Sequence, residues 1–170
     1  PDGARGSARP CEFDTLAGMS HDHGHPPNSA AEWDERYSST EKLWTAQVNP
    51  ALAREAAELP PGAALDVGSG EGADSRWLAD AGWRVTAVDL VDRAVRQARE
   101  KADAAGADVT VLCGDATRLD EAGVPGPYDL FFDLSCYCGI PPHRRDAYAA
   151  GLTRRAAPGA RLLMFGYGPG

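Results

Sequence analysis

The sequence predicts one α/β domain built on a parallel, doubly wound sheet, and three observations carry that expectation. From Ala64 onward, short apolar runs of strand length alternate with segments whose apolar residues recur at helical spacing. Glycine or proline marks the junctions, as at Pro60-Pro61-Gly62, Gly82, Gly106 and Pro158-Gly159. Length sets the scale: 170 residues with 43% hydrophobic content have room for one domain with a real core, and hardly for two. Strands separated by helices imply right-handed crossovers, with helices on both faces of the sheet.

Residues 1–28 are rich in Gly, Pro, Ser, Asp and His without apolar periodicity, and are read as a disordered segment. Met19 is the first methionine, so residues 1–18 are expected to be upstream or foreign sequence. The run HDHGH, with His21, His23 and His25, can take a divalent ion in a tube, but in such a tail it predicts no functional metal site. Residues 29–170 are expected to form the domain. Ser29 and Glu32 stand three apart as a capping box, and Trp33 and Tyr37 share one face of the helix that follows. Asn49 can cap a second helix with Pro50 at its first position and Leu52, Ala53, Ala56 and Leu59 as its buried stripe.

The alternation then begins. Residues 64–67 predict a first strand, 73–81 a helix ended by Gly82, and 84–88 a second strand. Asp92 is expected to cap a helix that buries Ala94, Val95, Ala98 and Ala102 and ends at Gly106. Residues 108–112 predict a third strand, 128–134 a fourth, 142–156 a helix, and 161–165 a fifth strand after the turn at Pro158-Gly159. No internal repeat is visible.

A formal charge of −8 gives no overall basic field, which argues against nucleic acid and for a small-molecule substrate. No apolar run approaches the roughly 18 residues a membrane span needs, and the N-terminus lacks a basic region followed by an apolar core, so the protein reads as cytoplasmic. Cys11, Cys113, Cys136 and Cys138 show neither paired metal spacing nor the density of a disulfide scaffold; reduced thiols are expected.

The chemistry concentrates in GSGEG, between the first strand and its helix. Gly68, Gly70 and Gly72 lack a Cβ, so the backbone can turn sharply and let a ligand approach. Asp89 ends the second strand about 20 residues further on, where a carboxylate can accept both hydroxyls of a ribose. Gly68, Gly70 and Ala73 also satisfy the dinucleotide pattern, so an NAD(P)-dependent oxidoreductase stands as an alternative. Three details favour a ligand without a diphosphate. Asp66 lies two residues before the first glycine, Glu71 sits inside the loop, and Asp115 in GDAT follows the third strand, where it can accept from an adenine amino group.

With Asp66, Gly68, Gly70, Gly72, Asp89 and Asp115 occurring in that order, the sequence resembles the class I S-adenosylmethionine-dependent methyltransferases. The resemblance implies a Rossmann-like, mostly parallel sheet, S-adenosyl-L-methionine as cofactor, and a cofactor site that also takes in Ser69, Leu90 and Ala116. Within that family, EWDERYSSTEKLW is similar to the N-terminal helix and loop of the small bacterial thiopurine and tellurite-resistance branch. This implies that Trp33, Tyr37 and Trp44 cover the cofactor, where a ring near the sulfonium would gain a cation–π contribution of about 0.5–2 kcal/mol.

A sulfonium methyl is already activated, so positioning and water exclusion are the protein's main tasks and no obligatory triad is expected. Thiols and related soft nucleophiles ionise close to neutral pH and are the candidate acceptors. FFDLSCYCGIPP should end beside the methyl; it lacks the Asn/Asp-Pro-Pro-aromatic motif of amino-group methylation, leaving Ser135, Cys136 and Tyr137 as candidate contacts and Ser135, Tyr137 and His143 as catalytic candidates. The family's sheet has seven strands, and five are counted here, so a C-terminally incomplete domain, able only to bind cofactor, is a further alternative. The fifth strand would then be an exposed edge, in a monomer or a weak homodimer.

Overall fold

The computed structural model describes residues 29–39 and 47–166. Two helices, α1 (Ala30–Ser39) and α2 (Pro50–Ala57), precede the alternation β1 (Ala63–Val67), α3 (Ala73–Asp80), β2 (Arg84–Asp89), α4 (Asp92–Ala105), β3 (Val109–Cys113) and β4 (Tyr128–Leu134). A single helical turn α5 (Cys136–Gly139), a 3-10 turn at Pro142–Arg144, α6 (Arg145–Thr153) and β5 (Ala156–Phe165) complete it. The five strands form one sheet in the order β3-β2-β1-β4-β5, and every pairing is parallel.

The chain reverses direction across the sheet between β3 and β4, so crossovers leave β1 toward one face and β4 toward the other. Strand periodicity then sorts the side chains. Ala64, Val85, Ala87, Val111, Leu130 and Phe132 pack under α2, α3 and α4, with Leu52, Leu78 and Val95 buried among them. Leu65, Val67, Val88 and Phe131 point the other way, against Tyr148 and Leu152 of α6 and the loop residues Leu119 and Val124. This parity matters below, because Asp66 falls on the α3 face and Asp133 on the α6 face.

Local signals act as expected at several helix ends. The Ser29 amide donates to Glu32 Oε2 at 3.0 Å and the Glu32 amide to Ser29 Oγ at 3.2 Å, a closed capping box. Asn49 Oδ1 accepts from the amides of Ala51 and Leu52 at the start of α2. Gly106 ends α4 at φ 61°.

Strands β1, β2 and β3 and helix α3 shift by one residue at one end or both, and three further boundaries differ from expectation. Val91, not Asp92, is the N-cap of α4; Asp92 is the first helical residue, where its charge still favours the helix dipole and pairs with Arg96. The helix expected over 142–156 is split: Pro142 opens a 3-10 turn, and α6 ends three residues early, before Arg155 feeds β5. The Pro158-Gly159 turn lies inside β5 rather than before it. Ala156 pairs with Tyr128 and Arg161 with Leu130, so five steps on β5 oppose two on β4 and the excess bulges at Gly159, whose φ is 81°.

β5 is an edge, and its Leu162 and Met164 are 47% and 39% exposed. The expectations about residues 1–28, including Cys11 and the histidine run, fall outside the described residues. Cys136 and Cys138 are free thiols, but Cys113 is disulfide-bonded, which corrects the reduced-thiol expectation there.

Candidate functional site

A cavity of about 530 Å³ opens at the carboxyl ends of β1, β2, β3 and β4, between α1, the glycine loop and the segment after β4. An open parallel sheet presents ligands there because the connections diverge to either face. Asp66, Gly68, Ser69, Gly70, Gly72, Asp89, Leu90, Asp115, Ala116, Trp33 and Ser135 all line it. Trp44 lies outside the described residues. Tyr137 and His143 do not line the cavity. Tyr137 turns under it to meet the Tyr148 ring at 5.4 Å, and His143 is exposed. In the 3-10 turn successive side chains stand about 120° apart, so with Arg144 directed inward His143 points to solvent.

The glycine loop is held mainly from within. The Gly68 and Ser69 amides donate to Val88 O at 2.8 and 3.1 Å, and the Gly70 amide donates to Asp89 Oδ2 at 2.8 Å. Gly68 has φ 71°, and a Cβ there would stand 2.7 Å from Cys136 Cβ, so the loop and the β4 segment touch only because that position has no side chain. Ser69 Oγ is buried with no hydrogen-bond partner.

Three acids follow one another along the strand ends. Asp66 is 2% exposed on β1 and accepts from Ser75 Oγ at 2.5 Å. Burial, offset in part by Ser75 and reinforced by the neighbouring Asp74, Asp89 and Asp133, pushes its pKa up to about 8. Asp89 on β2 accepts from the amides of Gly70 and Val91, one on each oxygen; burial raises its pKa and those amides restrain the rise. Asp115 after β3 is half-buried. Desolvation opposes its ionisation, but hydrogen bonds from Thr117 and Arg144 and the Arg144 charge hold its pKa below the usual carboxylate value.

Further side chains, most of them missed by sequence reasoning, complete the walls or brace them from behind. Arg144 Nη2 donates to Asp115 Oδ2 and to Thr117 Oγ1, both at 2.5 Å, and closes the β3 end. Glu71, inside the loop, pairs with Lys101 of α4. Asp74 Oδ1 accepts from the Asn49 amide at 2.6 Å, joining α3 to the residues before α2. Arg93 of α4 pairs with Asp34 of α1 at 3.4 Å, next to Trp33 on the cavity wall. Below Ser135, Asp133 accepts from Tyr148 Oη at 2.6 Å and from the Cys136 amide at 2.8 Å. A charged residue within the apolar run FFDL was the available signal for Asp133; nothing local pointed to Tyr148 or Arg144.

At the β4 end the lining is Leu134, Ser135, Cys136, Ile140 and Pro141. Burial and the surrounding carboxylates push the Cys136 thiol up, so it stays a thiol at neutral pH. Among the described residues no group of three or more His, Cys, Asp or Glu is placed to hold a metal ion, and no helix is long and apolar enough to cross a membrane.

Comparison with known proteins matches residues 28–167 to the thiopurine S-methyltransferase family. The chain is 30% identical over 149 residues to a thiopurine S-methyltransferase of Azotobacter vinelandii, covering 78% of this chain and 68% of that one. A solved structure from a study of the conversion of a disulfide bond into a thioacetal group in echinomycin biosynthesis is 33% identical, with TM-score 0.70, over 79% of this chain and 60% of that one. Burkholderia thailandensis 1,6-didemethyltoxoflavin-N1-methyltransferase, solved with bound 1,6-didemethyltoxoflavin and S-adenosylhomocysteine, is 27% identical with TM-score 0.68, over 79% and 59%. The chain thus spans about 60% of the length of these solved relatives and 60% of the Schizosaccharomyces pombe methyltransferases it also matches.

Proposed function

The chain belongs to the thiopurine S-methyltransferase family, and on that premise we propose that it binds S-adenosylmethionine and transfers the methyl group to a small-molecule acceptor, a thiol or other soft nucleophile. The observation that carries this reading is the order of groups along the carboxyl edge: Asp115 at β3, Asp89 at β2, Asp66 and Gly68 at β1, and Ser135 at β4. A ligand held along that edge would have Asp115 to accept from its adenine amino group, Asp89 for its ribose hydroxyls and Asp66 for its amino-acid end. Ser69 Oγ, buried and unpartnered, is available to it.

The field of the site suits such a ligand. Burial, with Asp74 and Asp89 nearby, raises the cost of ionising Asp66, a cost that an ammonium or sulfonium would relieve and a diphosphate would increase. The amides of Gly68, Ser69 and Gly70, which a diphosphate would need, already donate within the protein. Bound there, S-adenosylmethionine supplies a methyl on a cationic leaving group.

The protein's own work is to orient and to exclude water, with Trp33 and Tyr37 of α1 covering the site. Among the described residues, Leu134, Ser135, Cys136, Ile140 and Pro141 at the β4 end offer no group ionised near neutrality, which favours an acceptor whose nucleophile ionises unaided; its thiol would lose a proton to solvent and the thiolate take the methyl, leaving S-adenosylhomocysteine. Residues 29–170 form the cofactor-binding domain in this reading, which acts in the cytoplasm without nucleic acid, as a monomer or weak homodimer.

Calorimetric titration with S-adenosylhomocysteine and, separately, NADH tests it. Micromolar binding of the first, lost by at least about 100-fold in Asp89→Ala, is expected. Binding of NADH alone would mean a dinucleotide enzyme. Methylation assays on a thiol panel then separate turnover from cofactor binding alone.

A further inference from the structure

We propose that Asp133 and Tyr148 act as a positioning unit that sets the α5 turn against the glycine loop at the methyl-bearing end of the cofactor; this rests on the cofactor reading above. Neither side chain lines the cavity. Asp133 is fully buried on the α6 face of β4, and Tyr148 of α6 is 2% exposed. Tyr148 Oη donates to Asp133 Oδ2 at 2.6 Å, the Cys136 amide to Oδ1 at 2.8 Å, and the Tyr137 amide to Oδ2 at 3.1 Å.

The carboxylate therefore holds the first amides of α5, and the tyrosine holds the carboxylate. Ser135, between them, is driven to φ 68°, the one non-glycine residue among those described with positive φ. That conformation turns the chain sharply off the end of β4 and brings Cys136 against Gly68, where a Cβ on the glycine would be 2.7 Å from the cysteine Cβ. The Tyr137 ring rests on Tyr148 at 5.4 Å, and the Arg145 guanidinium lies over the Tyr137 ring at 4.7 Å while its Nε donates to Ile140 O. The wall is fixed from behind.

Stability alone does not call for this arrangement. An apolar residue at 133 would pack in the apolar strand without the desolvation cost of a carboxyl group. What the carboxyl adds is direction, because it accepts from two amides and one hydroxyl whose spacing sets where Ser135 and Cys136 stand. β4 lies beside β1 and away from β2 and β3, so the unit bears on the ligand's sulfur and amino-acid end and leaves the adenosine end untouched.

Titration of the full chain with S-adenosylhomocysteine and with adenosine separates these ends. In Tyr148→Phe, affinity for S-adenosylhomocysteine is expected to fall by about tenfold while that for adenosine stays within about twofold. Asp133→Asn, which can still accept from the amides and donate toward Tyr148, should retain more of the S-adenosylhomocysteine affinity than Asp133→Ala. Equal weakening of both ligands in Tyr148→Phe would assign the pair to general support of the fold and overturn the proposal. So would a Tyr148→Phe chain that binds both as wild type does. A wild-type chain that binds neither ligand overturns the cofactor reading itself, and this inference with it.

Discussion

The β1–β2 half of the cavity and the β4 half are built on opposite plans. Around the glycine loop, main-chain groups bond to their strand neighbours, and Asp89 accepts from two amides on and beside the loops it joins. After β4, position is held by side chains that reach from elsewhere: Tyr148 to Asp133, Arg144 to Asp115, Arg145 to the Ile140 carbonyl. The first half is a shape the backbone adopts; the second is a shape imposed on it. The difference teaches where each half is vulnerable, to added volume in one and to lost hydrogen bonds in the other.

The two halves meet at Gly68 and Cys136, and the largest effect is expected there. Gly68→Ala places a Cβ 2.7 Å from that of Cys136 at φ 71°, and should destabilise the fold by about 2–4 kcal/mol from left-handed strain plus overpacking. Chemical denaturation measures it. Cys136→Gly in the same chain should recover the steric part and leave the strain; no recovery would mean that the halves are not in contact.

Asp66→Asn probes the loop half through charge. A carboxyl whose pKa is raised to about 8 in the fold from 3.8 favours the folded state fully below about pH 4, and that contribution is lost as pH rises toward about 8. The amide does not titrate. Asp66→Asn should therefore gain melting temperature relative to wild type as pH rises through that window, while weakening S-adenosylhomocysteine by about tenfold. In the wild type, an ammonium beside Asp66 favours the carboxylate, so binding should release a proton near pH 7 and tighten as pH approaches 8. Calorimetry in buffers of different ionisation enthalpy reads the proton directly; proton uptake would reverse the assignment of charge.

The smallest effect belongs to Arg144→Ala, in the imposed half. The pair with Asp115 is part-exposed, so a stability loss within about 1 kcal/mol is expected, with a two- to threefold loss of S-adenosylhomocysteine affinity. Asp115 should titrate higher without the guanidinium. A large loss of stability would show that the second half carries more of the fold than its exposure indicates.

Local spacing determined much of this protein. The alternation of apolar runs, the caps at Ser29, Asn49 and Gly106, and the run from Asp66 through the three glycines to Asp89 specify the parallel sheet and the loop half of the site, because each acts over one turn or along one strand. Only the tertiary structure decided the other half. Whether the hydroxyl of Tyr137 or that of Tyr148 meets Asp133, and whether His143 or Arg144 reaches Asp115, depends on how the chain leaves β4, splits the expected helix and lays α6 on the opposite face. Those partners stand 15 and 29 residues apart, and a bond over that distance is set by the path of the backbone between them.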